Sequence, residues 1–135
     1  MGVNDLRFLV GAWQGSGRVR EDDVTADVTC SEEPDGSIVL VHVTHRAGAQ
    51  DHRERIVIRE HRGRTSAFIR SGSGPEQRFQ LVPAEGVFRF TRADPKLGLL
   101  AWEIVPGGAD SLDERFILGE GEAAETVVRL RHVRA

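Results

Sequence analysis

Hydrophobic and polar positions alternate along almost the whole chain, in short runs that turn residues separate. This period of two is typical of β-strands with one buried face, because successive side chains point to opposite faces. The segment 37–45 is the clearest example, since it is rich in β-branched residues. With a first strand that begins at Gly11, the pattern predicts about ten strands, the others being 24–31, 37–45, 52–61, 65–71, 77–82, 87–91, 99–105, 112–118 and 126–134.

A short helical turn is predicted ahead of the first strand. Asn4 or Asp5 is placed to cap a turn over residues 6–10, and Gly11 ends it. No longer helical period occurs in the chain. Short strands at regular spacing, without helices between them, favour a sandwich or a barrel over a parallel sheet.

The first strand carries the features that predict closure. Trp13, Gly15 and Gly17 share one face, and glycine on an inner face lets a strand curl as strongly as a narrow barrel demands. We therefore predict an all-β fold, a single closed up-and-down antiparallel barrel of about ten strands that residues 1–135 form as one domain. Trp13 is expected to plug one end of the barrel and to stack on Arg129 or Arg131.

The alternation also predicts which side chains face the interior. Two strands remain ambiguous, because either Leu40 and His42 or their neighbours on 37–45 can face inward, and 65–71 has the same ambiguity. The predicted ligand-binding residues are mainly aliphatic and aromatic: Leu40, Ile56, Phe68, Arg70, Phe88, Phe90, Trp102, Phe116, Leu130 and His132. The candidates for acid–base chemistry are Glu54, Glu114 and His42, since a buried carboxyl with a raised pKa can transfer protons.

Composition narrows the range of partners. The net charge is -3, and the 18 basic residues are spread along the strands rather than bunched, which argues against a nucleic-acid partner. No apolar run approaches the roughly 18–20 residues of a membrane span, and the first residues lack a signal-peptide pattern. We therefore expect a cytoplasmic protein that binds neither nucleic acid nor membranes. Cys30, the only cysteine, is expected to be a buried apolar side chain.

Five histidines raise the question of a metal site: His42, His45, His52, His61 and His132. A zinc site requires three or four convergent ligands. His42 and His45 are three positions apart on a predicted strand, so they point to opposite faces, and no His-Glu-x-x-His pattern occurs. The residue pattern therefore predicts no metal site.

The run Phe8-Leu9-Val10-Gly11-Ala12-Trp13-Gln14-Gly15-Ser16-Gly17 resembles the opening of the calycins, which include lipocalins, fatty-acid-binding proteins and nitrobindin-type haem barrels. It is most similar to the Leu-Gly-Thr-Trp-x-Gly-x-Gly opening of nitrobindin-type and related bacterial lipocalin-like proteins. The resemblance implies a barrel that binds a small ligand. In the haem-binding members a histidine near the C-terminus ligates the iron, so the resemblance implies haem as a cofactor, with His132 as the matching position.

These observations lead to three functional hypotheses. The leading one is a binding protein that holds a small, mainly hydrophobic molecule in the barrel interior. The first alternative, implied by the resemblance, is a haem protein with His132 as axial ligand and nitric-oxide or peroxynitrite chemistry. The second is an enzyme that performs acid–base cyclisation or isomerisation. The expected partner is a small hydrophobic molecule, and a homodimer is left open.

Overall fold

Ten antiparallel strands close into a barrel, which confirms the predicted fold class. The computed structural model describes residues 2–135. The strands are β1 (Gly11–Val19), β2 (Asp22–Glu32), β3 (Ile38–His45), β4 (His52–His61), β5 (Arg64–Ser71), β6 (Gln77–Val82), β7 (Phe88–Asp94), β8 (Gly98–Pro106), β9 (Ser111–Leu118) and β10 (Glu125–Arg134). Each strand pairs with the next along the chain, and β1 pairs with β10 to complete the barrel.

A 3₁₀ helix over Val3–Leu9 precedes β1 and covers one end of the barrel with its buried residues Leu6 and Leu9. It begins earlier than predicted because Asp5 stabilises it from within: the Asp5 carboxylate accepts a hydrogen bond from the Gly2 N–H at 2.9 Å. Gly121–Ala123 forms a second, shorter 3₁₀ turn before β10. Within residues 2–135, no helix combines the length and the hydrophobicity that crossing a membrane requires.

Trp13 closes the same end of the barrel and is only 2% exposed. Its indole Nε1 donates a hydrogen bond to the Leu9 carbonyl at 2.8 Å, which ties the helix to the first strand. The guanidinium that stacks on the indole belongs to Arg134, at 4.2 Å from the ring centroid. The prediction of Arg129 or Arg131 was wrong because Arg134 is the direct partner of Trp13 in the β1–β10 register, whereas the other two side chains are exposed.

Gly15 and Gly17 allow β1 to lie close against β10. A Cβ atom at Gly17 would lie 1.9 Å from the carbonyl oxygen of Arg129, and one at Gly15 would lie 2.4 Å from Nδ1 of His132. Contacts this short would force the two strands apart. The closing pair of strands therefore requires glycine at both positions, in agreement with the predicted role of the first strand.

Apolar side chains fill the half of the barrel next to Trp13. The buried cluster there includes Leu6, Leu9, Trp13, Ile38, Leu40, Ile58, Phe79, Phe90, Trp102 and Ile104. A smaller cluster, Val24, Ala26 and Leu130, lies in the other half. Because most of the large side chains are concentrated at the closed end, the open end has space between its walls.

The orientation of β5 differs from the predicted set of ligand contacts. Ala67 and Ile69 are the buried, inward-facing residues, while Phe68 is half-buried and Arg70 is exposed. The pairing of β5 with β4 fixes this parity, since Ile69 lies opposite the inward-facing Ile56. Phe68 and Arg70 therefore lie on the outer face of the barrel, and the expectation that they face the interior was wrong.

Replacing Trp13 tests the role of the closed end. We expect Trp13→Ala to lower the free energy of unfolding by about 3–5 kcal/mol, because it removes a large buried ring and leaves a cavity under the helix. Trp13→Phe keeps an aromatic ring and loses mainly the hydrogen bond to Leu9, so its loss should be smaller. Urea unfolding measures both, and a Trp13→Ala protein as stable as the wild type would contradict this account.

Candidate functional site

The open half of the barrel contains a cavity of about 350 Å³ at the end away from Trp13. Its walls are mostly apolar: Val19, Val24, Ile56, Ile69, Phe116, Val128 and Leu130. Its mouth carries polar side chains, namely Thr44, Arg46, Gln50, His52 and Glu54. A concave apolar space with a few polar groups is the usual form of a small-molecule site.

The floor of the cavity is built around the buried carboxylate of Glu114. Its Oε1 lies 2.8 Å from Nε2 of His42 and also 2.8 Å from Nε2 of His132. Its Oε2 accepts a hydrogen bond from the indole Nε1 of Trp102 at 2.8 Å. We call His42, Glu114 and His132 the floor triad. Three donors thus converge on one carboxylate, which is how a buried charge is made tolerable.

The strands bring the floor triad together from two sides of the barrel. Glu114 on β9 and His132 on β10 lie on neighbouring strands, where Glu114 pairs with Leu130 and His132 with Leu112. His42 lies on β3, which β10, β1 and β2 separate from β9 around the barrel. Its contact with Glu114 therefore crosses the lumen and separates the open half from the packed half.

The electrostatics of the floor triad favour an ionised Glu114 and a protonated His42. Burial opposes the ionisation of Glu114, but the charge of His42 and the hydrogen bonds from both imidazoles outweigh it and hold the pKa of this carboxyl well below its usual range. Burial also disfavours the imidazolium of His42, yet the attraction and the hydrogen bond of Glu114 outweigh burial and raise the pKa of His42. The favoured state pairs a carboxylate with an imidazolium.

The two imidazoles differ in the surroundings of Nδ1, the ring nitrogen that does not face Glu114. Nδ1 of His42 lies 3.4 Å from the hydroxyl of Thr44, toward the mouth of the cavity. Nδ1 of His132 is buried and has no hydrogen-bond partner. It lies against the backbone of Gly15, whose missing side chain provides the space for the ring. A proton on this nitrogen would therefore be buried without an acceptor.

Apart from Phe68 and Arg70 on the outer face, the predicted contact residues fall into three groups. The cavity is bordered by Ile56, Trp102, Phe116 and Leu130, and by the acid–base candidates His42, Glu54 and Glu114. Leu40 and His132 border a separate void of about 20 Å³ on the other side of the floor. Phe88 and Phe90 contribute to the packed core instead: Phe90 lies against Trp102 with 5.1 Å between ring centroids, and Phe88 packs on Phe8.

Glu54 lies at the mouth of the cavity and not on its floor. Its Oε2 accepts a hydrogen bond from the Ser71 hydroxyl at 2.7 Å, and His52 lies 3.8 Å away. All three acid–base candidates border the same cavity: His42 and Glu114 are in direct contact, and Glu54 is the partner of His42 in the β3–β4 register, where its charge helps to raise the pKa of His42. The acid–base alternative requires a shared cavity of this kind, but its expectation of a raised carboxyl pKa is wrong for Glu114, since His42 and His132 hold that pKa well below its usual range.

Cys30 is buried, as expected. Burial raises the pKa of its thiol to about 12, so it stays protonated at neutral pH. It is a packing residue of the closed half.

The arrangement does not fit a haem held by His132. This side chain is only 2% exposed, its Nε2 faces Glu114 at 2.8 Å, and its Nδ1 is packed so closely on Gly15 that a Cβ there would lie 2.4 Å away. His132 borders only the small void beneath the floor, where Trp13 and Leu9 leave no space for a porphyrin. The resemblance to haem barrels therefore does not extend to a geometry that would place iron on this histidine.

Sequence reasoning missed that the floor triad is a potential set of metal ligands. One ligand atom from each of its three residues lies within 4.8 Å of the other two. The prediction of no metal site compared histidines along one strand, whereas these ligands come from β3, β9 and β10. The only signal was the assignment of Glu114 and His132 to the barrel interior, with His42 as one of two options on its strand.

Comparisons with known proteins support the fold. No protein-family model and no curated protein matches the chain. The crystal structure of Rv2717c from M. tuberculosis is similar over 98% of this chain and 96% of that chain, with a TM-score of 0.68 and 15% identity. The S-type phycobiliprotein lyase CPES from Guillardia theta is similar over 100% of this chain and 93% of that chain, with a TM-score of 0.63 and 14% identity. Both likenesses show the barrel fold.

Removing the central carboxylate should destabilise the barrel. We expect Glu114→Ala to lower the free energy of unfolding by about 3–5 kcal/mol, because three buried donors lose their acceptor at once. Glu125→Ala is the matched control, because the Glu125 side chain is 66% exposed and only its surface ion pair with Arg20 is lost, so it should cost under about 1 kcal/mol. Chemical denaturation measures both. If the two variants lost the same free energy of unfolding, the hydrogen bonds to Glu114 would contribute no more to stability than an exposed carboxylate does.

The haem hypothesis has a direct optical test. We expect hemin, added in excess to the purified protein, to give no Soret band that depends on His132, because this side chain is only 2% exposed and the void beside it has no room for a porphyrin. A shift of the Soret band that His132→Ala abolishes, with the variant still folded by circular dichroism, would overturn this expectation.

Proposed function

We propose that this protein binds a small, mainly apolar molecule in the open half of the barrel. The observation that supports the proposal most is the cavity of about 350 Å³ with apolar walls above a polar floor. Its volume lies at the lower end of the range of about 300–1,000 Å³ for ligand pockets, so the ligand should be small.

The walls provide most of the affinity in this proposal. Val24, Ile69 and Leu130 come from three different strands, and each is less than a tenth exposed. A ligand body that covers them would remove apolar surface from water, at about 25 cal/mol for each Å². The resulting attraction has no preferred direction, so the walls alone would select for size and shape.

The floor provides orientation. An ionised carboxylate offers about four acceptor positions, and the two imidazoles and Trp102 occupy three of those of Glu114. Glu114 also borders the cavity, so a ligand group there can donate a hydrogen bond to the remaining acceptor position. We infer that the ligand carries a hydrogen-bond donor at its leading end, such as a hydroxyl or an amide N–H.

The mouth favours a ligand that keeps a polar end in water. Arg46 forms an ion pair with Asp22 at 3.0 Å, and Glu54 is held by Ser71, so both charges are already partnered beside the opening. The similarity to a phycobiliprotein lyase is compatible with a barrel that handles a small molecule, but at 14% identity it does not indicate which one.

A cavity-filling variant tests this function. We expect Ile69→Trp, on the cavity wall, to weaken binding of the fluorescent dye 1-anilinonaphthalene-8-sulfonate at least about tenfold, because the indole occupies the space a ligand needs. Val133→Trp is the matched control, since Val133 is 49% exposed on the outer face, and it should leave dye binding unchanged.

Thermal melts establish whether both variants are folded. If Ile69→Trp does not fold, Val128→Phe serves as a second cavity variant. Mass spectrometry of a solvent extract of the purified protein then searches for a retained ligand. Dye binding that is equal in the wild type and in every folded cavity variant would rule out the open half as the binding site.

A further inference from the structure

We propose that the floor triad binds a divalent transition-metal ion, with Nε2 of His42, Nε2 of His132 and a carboxylate oxygen of Glu114 as its protein ligands. The three ligand atoms lie within 4.8 Å of one another, so they can be brought to one ion without moving a strand. The metal proposal does not rest on the proposed function, although both involve Glu114: the ion is held by the floor triad, whereas the affinity for the apolar molecule comes from the walls.

The ligand types indicate the class of ion. Two imidazoles and one carboxylate on one side of an ion, with the remaining positions open, are typical of first-row ions such as Fe²⁺, Co²⁺ or Zn²⁺. Such ions bind nitrogen and oxygen at about 2.0–2.2 Å, so neighbouring ligands of a six-coordinate ion lie about 3 Å apart. The two distances of 2.8 Å from Glu114 to the imidazoles already approach this spacing.

The scaffold holds the ligands in place. His42, Glu114 and His132 each belong to a strand that is paired on both sides, so their backbones are fixed by two ladders of hydrogen bonds. The Trp102 indole holds the second oxygen of Glu114 at 2.8 Å and thereby fixes the plane of the carboxylate. Support of this kind from groups behind the ligands commonly decides metal affinity.

Neighbouring groups support the two histidines unequally, which limits the affinity for the ion. An imidazole that binds metal through Nε2 carries its proton on Nδ1. For His42 this proton can be donated toward Thr44, whose hydroxyl oxygen is 3.4 Å away. For His132 it would be buried without an acceptor against Gly15. Loss of one such supporting contact commonly costs about 10–100-fold in affinity, so we expect a site weaker than a fully supported one.

The open coordination positions face the cavity. His42 and Glu114 border both the large cavity and the small void, whereas His132 borders only the void, so the ion would lie at the boundary with its free side toward the cavity. Water or an oxygen or nitrogen atom of a bound molecule can occupy that side.

The test uses the full chain without an affinity tag, treated with EDTA and dialysed. Titration with Co²⁺, followed by visible absorption, and with Zn²⁺, followed by calorimetry, should show one equivalent bound. We expect His42→Ala and His132→Ala each to weaken binding at least about 100-fold. We expect Trp102→Phe, which leaves all three ligands in place, to weaken it about 10–100-fold.

His45→Ala is the matched control, because His45 is the alternative metal-binding histidine. It lies on the outer face, 2.8 Å from both Asp27 and Asp51. Binding of one equivalent that survives His45→Ala and is lost in the floor variants supports the proposal. No binding by the wild type, or binding that only His45→Ala removes, overturns it. If the floor alanine variants do not fold, the wild-type Co²⁺ spectrum and Trp102→Phe decide, and the dye experiment remains independent of either result.

Discussion

The need to satisfy one buried carboxylate organises the interior of this barrel. An ionised carboxyl group is costly to remove from water unless donors surround it, and Glu114 obtains three of them from His42, Trp102 and His132. One of these donors reaches across the lumen from β3. The network is therefore a cross-link between opposite walls, and it fixes the level at which the packed half ends and the open half begins.

The closed end can be understood from the same geometry. Close approach of β1 to β10 requires Gly15 and Gly17, and the space at Gly15 is what the ring of His132 occupies. The feature that allows the barrel to close thus also positions one residue of the floor. Trp13, two positions before Gly15 on the same face, seals the void beneath it. The close approach of β1 to β10 therefore both closes the barrel and positions part of the site.

Much of the fold could be predicted from the sequence because alternation is a local property. The strand ends agree with the structure to within three residues, and the plug at Trp13 follows from its place before the two glycines. Prediction failed where both parities are chemically acceptable. On β5, Phe68 and Arg70 are as plausible an inner pair as Ala67 and Ile69, and only the pairing with β4 decides between them.

The site could be predicted only in part, because its contacts are not local. His42 and His132 are separated from Glu114 by 72 and 18 positions along the chain. Parity assigns Glu114 and His132 to the interior and leaves His42 open, and whether the three meet depends on the diameter of the barrel and the stagger of its strands. Arg134 shows the same limit, since its contact with Trp13 follows from the register of the closing strands and not from any pattern in the chain.

The floor triad is better explained by function than by stability. Replacing a buried charged network with well-packed apolar side chains is often neutral or stabilising, so a barrel selected only to fold would not need one. A container for a purely apolar molecule would not need one either, since walls such as Ile69 and Leu130 already provide that surface. The position of these groups at the boundary of the cavity is therefore the strongest indication that whatever enters the barrel is recognised at its floor.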